Sequence, residues 1–213
     1  AILLKHKEGN AGRIYLRKRG VENSSVKKFK LGWAPQGGDI ITKWLLSKGF
    51  KEDDLVEAGI SSIKNGKVID KFRKRVIFPI FDVNGTPIAF IGRSIDDNDL
   101  PKYLNTPETV IYQKGKTVYG LNFAKGEIEK KGFVIVTEGT MNVISSYELG
   151  SENIVAILGT GFTTYQAESL KRYTDNIYFA FDADNAGRVA LLRAAQVALS
   201  QEFNIKVIDI PHG

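Results

Sequence analysis

The chain has 213 residues, room for one large domain or two small ones, and its 43% apolar content is that of an ordinary globular protein. With no Cys and only His6 and His212, near opposite ends, it excludes disulfides and thiolate zinc sites and argues against a Ser-His-Asp triad, so any metal here is a hard cation held by oxygen. Residues 1–130 carry 24 Lys/Arg against 15 Asp/Glu and residues 131–213 carry 6 against 9, so a half at +9 precedes one at −3 within a net charge of +6.

In chain order, Arg13, Arg17 and Lys18 read as a solvated helix face. A short helix is expected over 38–48, with Asp39 near its start and Gly49 as its stop, and a second over 51–58, ended by Gly59. The apolar runs 75–82 and 86–93 flank Val83-Asn84-Gly85, a strong hairpin signal, with Pro79 and Pro87 expected at an edge or bulge. Composition shifts at the Lys- and Glu-rich stretch Glu127 to Gly132. We therefore expect a basic α+β subdomain over 1–130, suited to a polyanion groove, and an α/β subdomain over 131–213 that binds a cation beside it. In the second part, strands at 133–137, 153–158, 176–181 and 205–210 alternate with helices at about 140–149, 163–173 and 186–202, a pattern that makes a parallel sheet. The last helix is read with an apolar stripe of Val189, Leu192, Ala195, Val197 and Leu199. No run approaches transmembrane length, no signal peptide is visible, and a cytoplasmic location is expected.

Two of these strands end in acid. Phe133-Val134-Ile135-Val136-Thr137 runs into Glu138-Gly139, and Ile177-Tyr178-Phe179-Ala180-Phe181 runs into Asp182-Ala183-Asp184, with Gly187 opening a helix. Open α/β sheets place their sites at the carboxyl ends of strands. Three carboxylates gathered there repel one another unless a divalent cation neutralises them, so Glu138, Asp182 and Asp184 predict a Mg²⁺ site for phosphate chemistry. Asp184 also fits as the cap of the following helix, and Glu138 as a first-turn acid favoured by the helix dipole; capping leaves Asp182 without a role, and Glu138 repeats the strand-end placement, so the metal reading is preferred. The turn Leu158-Gly159-Thr160-Gly161 could cradle phosphate, a weak signal by itself.

Arg73, Lys74, Arg75, Arg93, Lys102 and Lys114 are interleaved with Tyr103, Tyr112 and Tyr119. Cations that track phosphates beside rings that stack bases hold single strands. A solvated basic face with tyrosines half in the core fits the spacing equally. Trp33 and Trp44 read as core.

These segments together resemble a family. Glu138-Gly139 followed by Asp182-x-Asp184-x-x-Gly187 is similar to the Toprim fold of primases, topoisomerases and some nucleases. Tyr15-Leu16-x-x-Arg19-Gly20, Phe29-x-Leu31-Gly32-Trp33-Ala34-Pro35, Phe72-Arg73-x-Arg75 through Ile80, Gly92-Arg93, Lys102 through Thr109, Lys114-Gly115 and Tyr119-Gly120-Leu121 resemble the bacterial DnaG-type DNA primase core. The resemblance covers essentially the whole chain.

It implies an RNA polymerase core that makes short RNA primers on single-stranded DNA from nucleoside triphosphates, acting as a monomer in DNA replication. Glu138, Asp182 and Asp184 would be catalytic and hold Mg²⁺, with Mn²⁺ able to substitute. Arg93, Lys102, Tyr103, Asn105 and Lys114 would line the nucleotide and template groove, with Arg19 and Arg75 as weaker candidates. Zinc would belong to an absent amino-terminal domain, and the replicative helicase would be met through an absent carboxy-terminal one. Asn142 stands where the family usually has an acid and Ala183 where Gly is usual. The chain begins with Ala1, as an excised core would, and stops at Pro211-His212-Gly213, which the family follows with a further acidic pair. A Toprim topoisomerase or nuclease, and a non-catalytic single-stranded DNA-binding module, are the competing expectations.

Overall fold

The computed structural model describes residues 2–96, 98–159 and 161–209. The expectation that strand four reaches Ile210, and the segment Pro211-His212-Gly213, lie outside the described residues, as does Thr160 of the glycine-rich turn. The chain forms two compact units: residues 1–80 with 87–112, and residues 81–86 with 113–213.

In the first unit, helices α1 (Ile2–Lys5), α2 (Asn10–Lys18) and α3 (Asn23–Lys28) lead into β1 (Gly32–Ala34), α4 (Ile40–Leu46) and α5 (Glu52–Glu57). Strands β2 (Ser61–Lys64) and β3 (Lys67–Asp70) form an antiparallel ribbon, and β4 (Arg75–Phe81), β5 (Pro87–Ser94) and β6 (Tyr103–Asn105) complete a sheet of order β1-β4-β5-β6. The core holds Phe29, Trp33, Val76, Phe78, Ile80 and Ile91. Helix α4 starts after Asp39 as expected, yet Asp39 caps nothing and pairs with Lys43 at 2.8 Å. The cap comes from buried Asp70, which accepts Ile41 N at 3.0 Å, Thr42 N at 2.7 Å and Thr42 Oγ1 at 2.7 Å. Charge-assisted bonds of this kind offset the cost of burying that carboxylate. Trp33 is core, but Trp44 of α4 is 57% exposed, against expectation.

The Asp82–Thr86 turn joins β4 to β5, with Asp82 Oδ1 accepting Asn84 N at 2.9 Å and Thr86 N at 2.8 Å. Gly85 takes φ +88°, which only glycine adopts without strain. Pro79 sits in a strand interior to the sheet order, not at an edge. It is tolerated because β1 pairs only with Arg75–Ile77 and leaves that side open at residue 79.

In the second unit, α6 (Leu121–Lys131), β7 (Val134–Thr137), α7 (Thr140–Glu148), β8 (Ile154–Ala156), α8 (Thr164–Lys171), β9 (Asn176–Phe179), α9 (Asn185–Ser200) and β10 (Asn204–Val207) alternate. The strands form a sheet of order β10-β9-β7-β8, with every pair parallel. The fold is thus the α+β and parallel α/β combination that the alternation predicts. The polar stretch Glu127–Gly132 is the end of α6, whose Leu121, Ala124 and Ile128 enter the core with Val134, Val136, Val155, Ile157, Ile177 and Phe179.

Helix α9 turns a different face inward from the one read off its large residues. Val189, Leu192 and Leu199 are 48%, 67% and 63% exposed, while Gly187, Ala194 and Ala198 are buried; of the expected stripe, Val197 packs partly buried against the core. A stripe of small residues lets the helix lie close on the sheet. Among the described residues, no helix is long and apolar enough to cross a membrane.

Candidate functional site

The acidic residues are positioned by the ends of two neighbouring parallel strands. β7 and β9 pair as Val134↔Ile177, Ile135↔Tyr178 and Val136↔Phe179, and Ala180 N donates to Val136 O at 2.9 Å. The two chains therefore leave the sheet side by side, β7 into Glu138 and β9 into Asp182-Ala183-Asp184. The backbone N–H of Asp182 lies near enough to the Glu138 carboxylate to favour its ionised form.

Gly187 fixes the second turn. A Cβ at that position would lie 2.1 Å from Asp182 O, so only glycine lets the first turn of α9 fold against the Asp182 backbone. Asp184 is the N-cap, its Oδ1 accepting Gly187 N at 2.7 Å. Capping occupies one oxygen of Asp184; the exposed Asp182 side chain takes no such role. Asn142, on α7, donates from Nδ2 to Thr137 Oγ1 at 2.8 Å and steadies the end of β7.

Glu138 is half-buried, and its Oε1 is sealed from solvent with no hydrogen-bond partner. Burial pushes its carboxyl above the ordinary glutamate value; the negative charge of Asp182 adds to this, that of Asp184 adds less, and the Asp182 N–H pulls the other way. The described residues contain no group of three His, Cys, Asp or Glu side chains arranged as a ready-made metal cage. The donor set nonetheless suits a hard cation: it is all oxygen, it includes a buried oxygen with no partner, and mutual repulsion raises the energy of its ionised state.

Among the basic and aromatic candidates, Arg93 and Tyr103 face each other across β5 and β6. Arg93 is only 2% exposed; its guanidinium lies 5.1 Å from the Tyr103 ring centroid and 5.5 Å from that of Tyr15, and it donates to Ser94 O. Arg19 sits 5.7 Å from the same Tyr15 ring. Burial raises the Tyr103 phenol, as does Tyr15, while Arg93 pulls it down by charge and by a hydrogen bond. Asn105 lies two residues along β6 from Tyr103, on the same face, and Lys102 is exposed beside it. Tyr15, which the sequence offers only as part of a family motif, is thus the shared platform of two arginines.

Arg75, Tyr112 and Tyr119 are structural. Arg75 is buried and bound to Pro101 O at 2.8 Å, Gly92 O at 3.2 Å and the Asp99 carboxylate at 3.2 Å, which leaves it as a bracket for the 99–102 loop. Tyr112 and Tyr119 are 0% and 2% exposed, so neither is a stacking surface. Lys114 belongs to the second unit, where its ammonium lies 3.8 Å from the Cβ position of Gly159.

A parallel sheet with carboxylates at adjacent strand ends, in a chain whose other unit displays a basic and aromatic face, defines the Toprim-like class. Residues 135–213 match a family model described as Toprim-like, and residues 1–125 match one described as DNA primase catalytic core, N-terminal domain. The chain belongs to the DNA primase catalytic core family.

Among its relatives is a DNA primase of Clostridium acetobutylicum, 44% identical over 200 residues that make up 93% of this chain and 33% of the relative. The chain spans about a third of the length of such curated relatives. Among solved structures, the Escherichia coli primase catalytic core superposes with a TM-score of 0.91 at 36% identity, covering 99% of this chain and 68% of that one. A DnaG primase catalytic domain bound to single-stranded DNA superposes with a TM-score of 0.89 at 36% identity, covering 99% and 67%.

Proposed function

We propose that the chain is the polymerase core of a DNA primase, joining nucleoside triphosphates into short RNA primers on a single-stranded DNA template, with Glu138, Asp182 and Asp184 holding Mg²⁺. The observation that carries this reading is the buried, partnerless Oε1 of Glu138 beside Asp182 and Asp184 at the end of the adjacent strand. The likeness to a primase domain bound to single-stranded DNA supports the template assignment. When bound, the ion offsets the carboxylate charges, favours ionisation of an attacking hydroxyl and stabilises charge on phosphate.

The chain's own groups orient the reactants. Tyr103, exposed on β6, offers a ring for a base, and the Arg93 guanidinium beneath it sets the ring's orientation and local potential. Lys102 and Asn105 supply a phosphate charge and a polar edge on the same strand, and Lys114 supplies a cation for the triphosphate. In the reaction so read, the primer 3′-hydroxyl oxygen bonds to the α-phosphorus and pyrophosphate leaves.

The same reading assigns Mn²⁺ as a substitute ion, zinc to a domain outside these residues, and the replicative helicase as a partner met by a segment outside them. It places a monomeric protein in the cytoplasm. The test is primer synthesis on a single-stranded template by Glu138→Gln and Asp182→Asn. Each is expected to lower the rate by about 10²–10³-fold, the scale of losing one preorganised electrostatic contact in a transition state. Primer yields equal to wild type in either variant would overturn the metal assignment.

A further inference from the structure

The described residues place Lys114 through contacts that sequence reasoning did not associate with it. Lys114 opens a 3₁₀ turn, Lys114–Lys116, more than forty residues before α8, yet the two are tied together. Thr163 and Gln166 form the capping box of α8: Gln166 N donates to Thr163 Oγ1 at 3.2 Å, and Thr163 N donates to Gln166 Oε1 at 3.1 Å. Each side chain then uses its remaining donor on the distant turn. Thr163 Oγ1 donates to Gly115 O at 2.5 Å, and Gln166 Nε2 donates to Thr117 O at 2.9 Å and Lys114 O at 3.4 Å. Gln166 is 0% exposed, so these bonds have no competition from water. Lys116 lies 4.7 Å from the Tyr165 ring centroid, a further hold on the same turn.

The destination matters. α8 follows β8, which pairs with β7 through Thr137↔Ala156, and Ile157 N donates to Thr137 O at 2.9 Å. The turn after β8 and Glu138 after β7 therefore leave the same edge of the parallel sheet. The Lys114 ammonium reaches that turn, 3.8 Å from the Cβ position of Gly159.

We infer that Gln166 and Thr163 are positioning residues: through buried hydrogen bonds to the carbonyls of the 114–117 turn they hold the Lys114 ammonium at the carboxyl edge of the sheet, where it meets the phosphates of an incoming nucleotide. This rests on the proposed reading of Lys114 as a nucleotide contact. Free Lys side chains carry large rotamer entropy, and a fixed backbone origin lowers the cost of ordering one on a ligand.

The experiment is equilibrium titration of GTP with Mg²⁺ into the full chain. Lys114→Ala is expected to weaken binding by about tenfold or more, the scale of one hydrogen bond to a charged group. Gln166→Met keeps the length and removes the donors, and Thr163→Val removes the hydroxyl that donates to Gly115 O and accepts Gln166 N; both are expected to weaken binding several-fold, while Thr163→Ser restores it. In a Lys114→Ala background, Gln166→Met is expected to cost nothing more. Thermal unfolding of each variant accompanies the titration, since a role in folding alone lowers Tm without any dependence on the Lys114 background. If Lys114→Ala weakens binding while Gln166→Met and Thr163→Val bind as wild type, or if Gln166→Met costs the same in both backgrounds, positioning is overturned and the nucleotide site stands. If Lys114→Ala itself binds as wild type, the reading of Lys114 as a nucleotide contact fails and positioning fails with it.

Discussion

Burial and two neighbouring carboxylates raise the pKa of Glu138 in the folded protein, so the native state holds a proton there more readily than the unfolded chain does. The folded-state value is the higher one, so ionised Glu138 costs stability at neutral pH, and that cost vanishes as pH falls below the ordinary value of 4.5. Glu138→Gln is therefore expected to raise Tm near pH 7 and to lose that advantage in acid, as scanning calorimetry across pH would show. Mg²⁺ should act on wild type and hardly at all on Glu138→Gln. An ion that binds only the folded state stabilises wild type by about 1.4 kcal/mol at ten times its Kd and leaves Glu138→Gln almost unmoved. Gly187 supplies the other residue-level constraint. With a Cβ only 2.1 Å from Asp182 O, Gly187→Ala forces the Asp182 turn to shift, at a cost of about 1–3 kcal/mol in urea denaturation together with a fall in primer synthesis.

Helix α9 shows what a helical pattern reveals and what it hides. Its span and its N-cap at Asp184 are legible in the chain, because a strand run, two acids and a glycine precede a long stretch of helix formers. Its buried face is not, since Ala and Gly carry little hydrophobic signal while Val189, Leu192 and Leu199 carry much and point outward. Ala194→Leu or Ala198→Leu should therefore destabilise the protein by about 1–3 kcal/mol through overpacking. Leu192→Lys should change stability by less than about 0.5 kcal/mol, and chemical denaturation separates the two outcomes. The hairpin was legible for a stronger reason, Asn84-Gly85 between two apolar runs, whereas the cap of α4 by Asp70 was not, because a long-range side-chain partner leaves no mark on local periodicity. The same holds for the candidate site residues. Glu138, Asp182 and Asp184 sit at strand ends and can be found from strand pattern alone, while Tyr15 gains its place only because β5 and α2 carry Arg93 and Arg19 to its ring. The motif Thr163-x-x-Gln166 announced a helix start but not the 114–117 turn it grips.

At the scale of the whole molecule, on the proposed reading, the charge asymmetry between residues 1–130 and 131–213 would set how nucleic acid binding responds to salt. Single-stranded DNA affinity should fall linearly in log–log against salt concentration, and Lys102→Ala should lower the slope by about 0.7 if that side chain neutralises one phosphate. Tyr103→Ala should instead weaken binding by about 1–3 kcal/mol at every salt concentration, as loss of a stacked base does. Fluorescence anisotropy over a salt series distinguishes a lost charge from a lost ring. The path of the chain carries one more consequence. Residues 81–86, the tip of the hairpin between β4 and β5, belong to the unit built from 113–213, where Phe81 meets Phe123 at 5.6 Å and Lys125 donates to Val83 O at 3.0 Å. A fragment begun at Gln113 would arrive without a piece of its own interior, so limited proteolysis that nicks only near residue 112 should yield two pieces that co-migrate under native conditions and part only in denaturant.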